Sequence, residues 1–100
     1  MHCLTVLYPR PDDEAHFKKY YKDVHIPLAK QLPGLKSCHY AYPAAVGPAE
    51  NAPFCIFQAF FDSPQAMGQA MQSEMGQKVA ADVPSYSPKG ATIVHFAPEQ

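Results

Sequence analysis

The chain has no run of basic residues and no excess of either charge. Eight Lys and Arg stand against nine Asp and Glu in 100 residues. The electrostatic footprint of a nucleic-acid binder is missing, and no nucleic-acid partner is expected. No apolar stretch approaches the roughly 20 residues that cross a bilayer as a helix, so no membrane span is expected. The chain opens on a strand-like run, not on a charged-then-apolar leader, which does not fit a secreted precursor. Cysteine is scarce. Cys3, Cys38 and Cys55 are odd in number, far apart and outside any Cys-x-x-Cys, against a disulfide framework or a structural zinc site. Each lies in an apolar strand-like run, where a reduced thiol packs as a small hydrophobe. These features together point to a reducing, cytoplasmic setting. Phosphate-binding glycine loops, His-Glu-x-x-His and nucleophile elbows are also absent. No pair among the five histidines and three cysteines shows ligand spacing, so neither a metal nor another cofactor is expected.

What is present reads as one domain over residues 1–100. His2 to Tyr8 is a strand, and Pro9, Pro11 and Asp12 turn the chain. Asp12 or Asp13 can cap a following helix, whose positive end suits Asp12, Asp13 and Glu14. Phe17, Tyr20, Tyr21, Val24, Leu28 and Leu32 recur at helical spacing and predict its buried face. Pro27 predicts a kink or stop, with Ile26 pushed out of helical angles. Leu35 to Tyr42 is a second strand, residues 43–53 a long loop, and Phe54 to Phe61 a third strand. Ser63-Pro64 starts a second helix with Met67, Ala70, Met71, Met75 and Val79 on one face. Ala91 to Ala97 is the last strand. The order β-α-β-β-α-β predicts an α+β, ferredoxin-like fold: a four-stranded antiparallel sheet with two helices on one face.

Two helices cover only one face of such a sheet, and the other should alternate apolar with polar residues. The third strand does not alternate. Phe54, Ile56 and Phe60 fall on one parity, Cys55, Phe57, Ala59 and Phe61 on the other, and only Gln58 is polar. An apolar face of that size exceeds what monomers leave in water. A homodimer joined sheet to sheet is therefore expected, with a loop folded across the face as the alternative.

Among candidate functional residues, His25 stands out because it precedes the proline, and imidazole titrates near neutral pH. Tyr21 lies one turn earlier on the same face. Beside apolar surface, His25 would be a neutral base able to take a proton near pH 7. A histidine bonding free carbonyls at a helix end is an equal reading. His39, Gln58 and His95 lie on strands as candidate ligand contacts; a strand histidine is more often a satisfied or rim residue, and Gln58 reads equally as bonding a neighbouring strand or a dimer partner.

Val-Leu-Tyr-Pro-Arg-Pro, then Phe17-x-x-Tyr20-Tyr21-x-x-Val24-His25-Ile26-Pro27-Leu28, then Leu32-Pro33-Gly34-Leu35, resemble the EthD family, named for ethyl tert-butyl ether degradation. The resemblance implies a dimeric α+β barrel and a pocket between sheet and helices. It matches the family histidine to His25. The implied role is the binding of a small apolar organic compound in a catabolic or modifying pathway. That role is either cofactor-free cyclase, isomerase or monooxygenase-type chemistry with His25 as acid or base, or a non-catalytic accessory function. Haem binding, as some relatives of the barrel superfamily show, is a further reading.

Overall fold

The computed structural model describes residues 1–99. Strand β1 (His2–Tyr8) leads to helix α1 (Glu14–Tyr20), where the Asp13 carboxylate accepts the His16 amide at 3.0 Å, as a capping acid should. A π turn, Tyr21–His25, runs directly into helix α2 (Ile26–Ala29). Strands β2 (Ser37–Ala41) and β3 (Cys55–Phe61) flank the loop. Helices α3 (Pro64–Gln72) and α4 (Glu74–Asp82), a short 3-10 turn (Val83–Ser85) and strand β4 (Thr92–Phe96) complete the order. The strands form one antiparallel sheet, β2-β3-β1-β4, with the helices on one face: the ferredoxin-like arrangement.

The expected break at Pro27 does not occur. His25 and Ile26 keep right-handed helical angles, and the Ile26 amide reaches the Tyr21 carbonyl five residues back. One extra residue in the turn makes room for a proline ring that has no amide proton to give. The insertion also rotates the buried face. Val24, expected inside, is 45% exposed, whereas His25, Ile26 and Ala29 are buried. The second helix is likewise two helices. Ser73 turns the chain, donating from Oγ to the Ala70 carbonyl (2.6 Å) and accepting the Gly76 amide (3.0 Å).

Register settles which parity meets the helices. Cys55, Phe57, Ala59 and Phe61 pair with Tyr8, Val6, Leu4 and His2, and all eight are buried on the helix side. Ile56, Gln58 and Phe60 look the other way. Phe54 departs from its expected parity, because the ladder begins at Cys55 and the chain bends before it. Phe54 is buried and meets Phe17 edge-on at 5.1 Å. The core is dominated by rings, each buried one contributing roughly 2–3 kcal/mol by area.

The α3–α4 corner has a specific requirement. A methyl at Gly76 would overlap the Ala70 and Met71 carbonyls, whereas one at Gly68, inside α3, meets open space. Gly76→Ala should therefore lower stability by about 2 kcal/mol through forced displacement. Gly68→Ala should raise it by up to about 1 kcal/mol. Urea midpoints of the two variants test this pair, and equal midpoints would remove the close approach as a constraint.

Candidate functional site

The π turn aims His25 at the end of α4. His25 Nδ1 lies 2.9 Å from Asp82 Oδ2, and the Tyr20 hydroxyl donates to Asp82 Oδ1 at 2.6 Å. On the other side of the ring, Nε2 lies 3.0 Å from the Tyr86 hydroxyl. Tyr86 in turn meets the Tyr8 hydroxyl at 2.7 Å, and the Tyr21 hydroxyl donates to Tyr8 at 3.3 Å. Tyr21 also stacks on the imidazole, with centroids 5.2 Å apart and planes 21° apart. His25 is 3% exposed and Tyr86 1%, and the Asp82 carboxyl is nearly covered.

The partners fix the direction of every bond. A carboxylate only accepts, so Nδ1 carries the proton and donates to Asp82. Nε2 then accepts from Tyr86, which accepts from Tyr8, which accepts from Tyr21. With a neutral imidazole every member is satisfied. Burial pushes the imidazole below its ordinary value, and the bond and charge of Asp82 oppose that shift. Burial pushes the Tyr8, Tyr21 and Tyr86 phenols up, so they remain protonated donors at neutral pH. Cys55, raised to about 12 by burial, is no nucleophile. The arrangement is a base held in one tautomer by an acid and shielded by a phenol.

The EthD domain matches residues 10–89, most of the chain. The chain belongs to the EthD family. An uncharacterized 11.0 kDa protein from the thcB-thcC intergenic region of Rhodococcus erythropolis is 31% identical over 94 residues, covering 94% of this chain and 91% of that protein. The crystal structure of an EthD family protein from Bacillus halodurans C-125 matches with a TM-score of 0.90 at 23% identity, over 99% of both chains. A dimeric ferredoxin-like protein of unknown function from Thermobifida fusca YX matches with a TM-score of 0.69 at 15% identity, over 97% of this chain and 90% of that one. At these identities the two structures speak for the fold.

Within this EthD protein, His25 and Tyr21 come together, but the other candidates do not join them. His39 Nε2 lies 2.8 Å from Gln58 Oε1, and Gln58 donates to Thr5 Oγ1 at 3.3 Å, on the sheet face away from the helices. His95 Nδ1 pairs with His2 Nε2 at 2.9 Å beside the edge strand β4. Strand alternation separates them: Gln58 and His39 have the parity opposite to Phe57 and Tyr40. The expected space between sheet and helices is filled by Tyr8, Phe17, Tyr21 and Tyr86. Open volume lies at the loop end of the sheet, in a groove of about 760 Å³ touching Arg10, Asn51 and Lys89. A smaller cleft of about 140 Å³ lies beside Tyr86. Among the described residues no three His, Cys, Asp or Glu cluster as metal ligands, and no helix is long and apolar enough to cross a membrane.

Asp82, Tyr86 and Tyr8 were not foreseen as site residues. Asp82 did carry a signal: a carboxylate in the last turn of a helix opposes the macrodipole and calls for donors elsewhere. Tyr86, inside a proline-rich connection, carried none.

The lowered folded-state value of His25 gives a signed pH dependence. Above about pH 6.5 the imidazole is neutral in both states; below it the unfolded chain takes up a proton that the folded chain refuses until its own lower value. Stability is therefore full above that pH and falls as pH drops through the window beneath it. Urea unfolding between pH 7.5 and 5 should show this loss, and His25→Gln should flatten it. An unchanged slope in the variant would show that His25 is not the residue responsible.

Proposed function

We propose that this EthD protein acts as a single domain that binds a small, mostly apolar organic compound and transfers a proton to or from it. His25 is the acid or base, and Asp82 holds its tautomer. The observation that carries this reading is the Asp82–His25–Tyr86 alignment, in which both imidazole nitrogens are fixed at hydrogen-bond distance in a desolvated place. Aldol-type cyclisation, proton-shift isomerisation and oxygenation by dioxygen can each proceed through a carbanion formed by loss of a proton, which a neutral imidazole can accept. Tyr21, stacked on the ring, holds its plane.

A second reading has its own support. Nε2 is capped by a buried phenol, and His25 is almost fully covered. An accessory protein that sequesters a pathway intermediate without turnover fits that closure. Three free cysteines favour a reducing, cytoplasmic location in either case.

The two readings separate by experiment. Candidate aromatic and ether-like compounds are incubated with wild type, His25→Gln and Asp82→Asn, following binding by calorimetry and turnover by mass spectrometry. The expected result is turnover lowered about 100-fold or more in His25→Gln with binding retained. Binding without turnover in the wild type would establish the accessory reading instead.

The same proposal includes a homodimer. Val94 and Phe96 are 43% and 42% exposed on the face away from the helices, Val94 beside Thr5 of the His39–Gln58–Thr5 row and Phe96 across β1 from half-buried Phe60. A second copy laid against this face would bury them, and His39 and Gln58 would then meet the partner or a ligand at the seam. Light scattering should give twice the 11.0 kDa protomer mass, and Phe96→Asp should move the equilibrium toward the protomer. A wild type that scatters as a protomer at all concentrations would sink the dimer.

A further inference from the structure

Resting on the reading of His25 as the proton-transferring group, we infer that Tyr86 is a built-in occupant of the ligand site and that the external ligand is a small phenol. The Tyr86 hydroxyl sits between two polar groups, His25 Nε2 at 3.0 Å and the Tyr8 hydroxyl at 2.7 Å. Its ring is stacked on Tyr20 (25° between planes) and meets Phe17 edge-on at 5.1 Å, with Tyr21 steeply inclined at 5.1 Å. These residues form an aromatic slot with one acceptor and one donor at its closed end. That is the recognition pattern of a phenol, and Tyr86 supplies one from the chain itself.

The segment that carries Tyr86 is tied mainly to itself. The Tyr86 and Ser87 amides both bond the Val83 carbonyl, the Gly90 amide bonds Ser87, and the Ser87 hydroxyl donates to the Gly90 carbonyl. Apart from the buried bonds of the Tyr86 hydroxyl to His25 and Tyr8, polar links outward run through exposed side chains: His16 to the Ser85 carbonyl, and Lys89 to Asp12 and the Arg10 carbonyl. None of residues 83–90 pairs in the sheet, so an outward swing of this segment would break the two Tyr86 bonds and its surface links but no rung of the ladder. Gly90, at φ +87°, stands at one end of the unit. The cleft of about 140 Å³ between Pro11, His16, Pro88 and Tyr86 lies on the outer side of the ring, where an incoming ligand would approach.

Withdrawing Tyr86 leaves buried His25 Nε2 without a donor and the Tyr8 hydroxyl without an acceptor, its bond from Tyr21 alone remaining, which is costly. A phenol restores both bonds, whereas a hydrocarbon of the same outline restores neither. The site should therefore discriminate by the hydroxyl group.

The probes are 4-methylphenol and toluene, titrated by calorimetry into wild type, Tyr86→Phe and Tyr86→Ala, with folding checked by circular dichroism. We expect wild type to prefer 4-methylphenol over toluene at least about tenfold. Tyr86→Phe, a weaker competitor for the same slot, should bind 4-methylphenol about tenfold more tightly than wild type, with amide shifts concentrated in residues 83–90. Tyr86→Ala, if folded, should bind it more tightly still. Equal binding of both probes, weaker binding in Tyr86→Phe, or no binding by wild type and a folded Tyr86→Phe would each overturn the inference. Binding is read without turnover, so a failure here leaves the proton-transfer reading to be judged separately by the His25→Gln kinetics.

Discussion

The hydrogen bond from His25 Nδ1 to Asp82 joins the two helical arms of the protein, and the polar interior takes its order from it. Asp82 ends α4, where a negative charge is unfavourable to the helix. Two donors, His25 and Tyr20, offset that cost. Because Asp82 can only accept, it assigns the imidazole proton, and that assignment decides which way the hydroxyls of Tyr86, Tyr8 and Tyr21 point. Removing Asp82 would release every later bond in the row, an effect larger than the loss of one contact.

That bond is aimed by the widening of the backbone between Tyr21 and His25. In a regular α-helix, spacing from Phe17 and Tyr21 would carry Val24 and Leu28 inward and leave His25 near the margin. The residue accommodated before Pro27 moves His25 from the margin to the middle of the buried face that carries Tyr21 and sends Val24 to solvent. Pro27 thus acts on the site through helix geometry, and the functional side chain is the one displaced by the correction.

This explains what the sequence did and did not make legible. Strand order, the caps at Asp13 and Ser63 and the apolar parity of β3 follow from short-range chemistry, and the fold was readable from them. His25 and Tyr21 were readable because they lie one helical turn apart just before Pro27. Asp82 and Tyr86 lie 57 and 61 positions from His25, and no local period links such partners. The division at Ser73 was hidden because Met67, Met71 and Met75 continue a helical spacing across it. The grouping of His39 and Gln58 with His25 failed at the sheet itself, since two parities of one strand never share a side.

The energetics of the row also limit where a working proton can come from. A phenol near its ordinary value of about 10 and an imidazole near about 6.5 make transfer from Tyr86 to His25 uphill by about 5 kcal/mol, before attraction in the resulting ion pair is counted. Burial moves both groups in the direction that widens this gap. At rest, then, the interior tyrosines hold their protons and His25 stays neutral. A net transfer needs an acid stronger than a buried tyrosine at the position Tyr86 now holds. A phenol whose ring carries an electron-withdrawing substituent meets that condition, whereas the protein's own phenol does not. On the reading that His25 is a base, the same group that closes the site is thereby kept from consuming it.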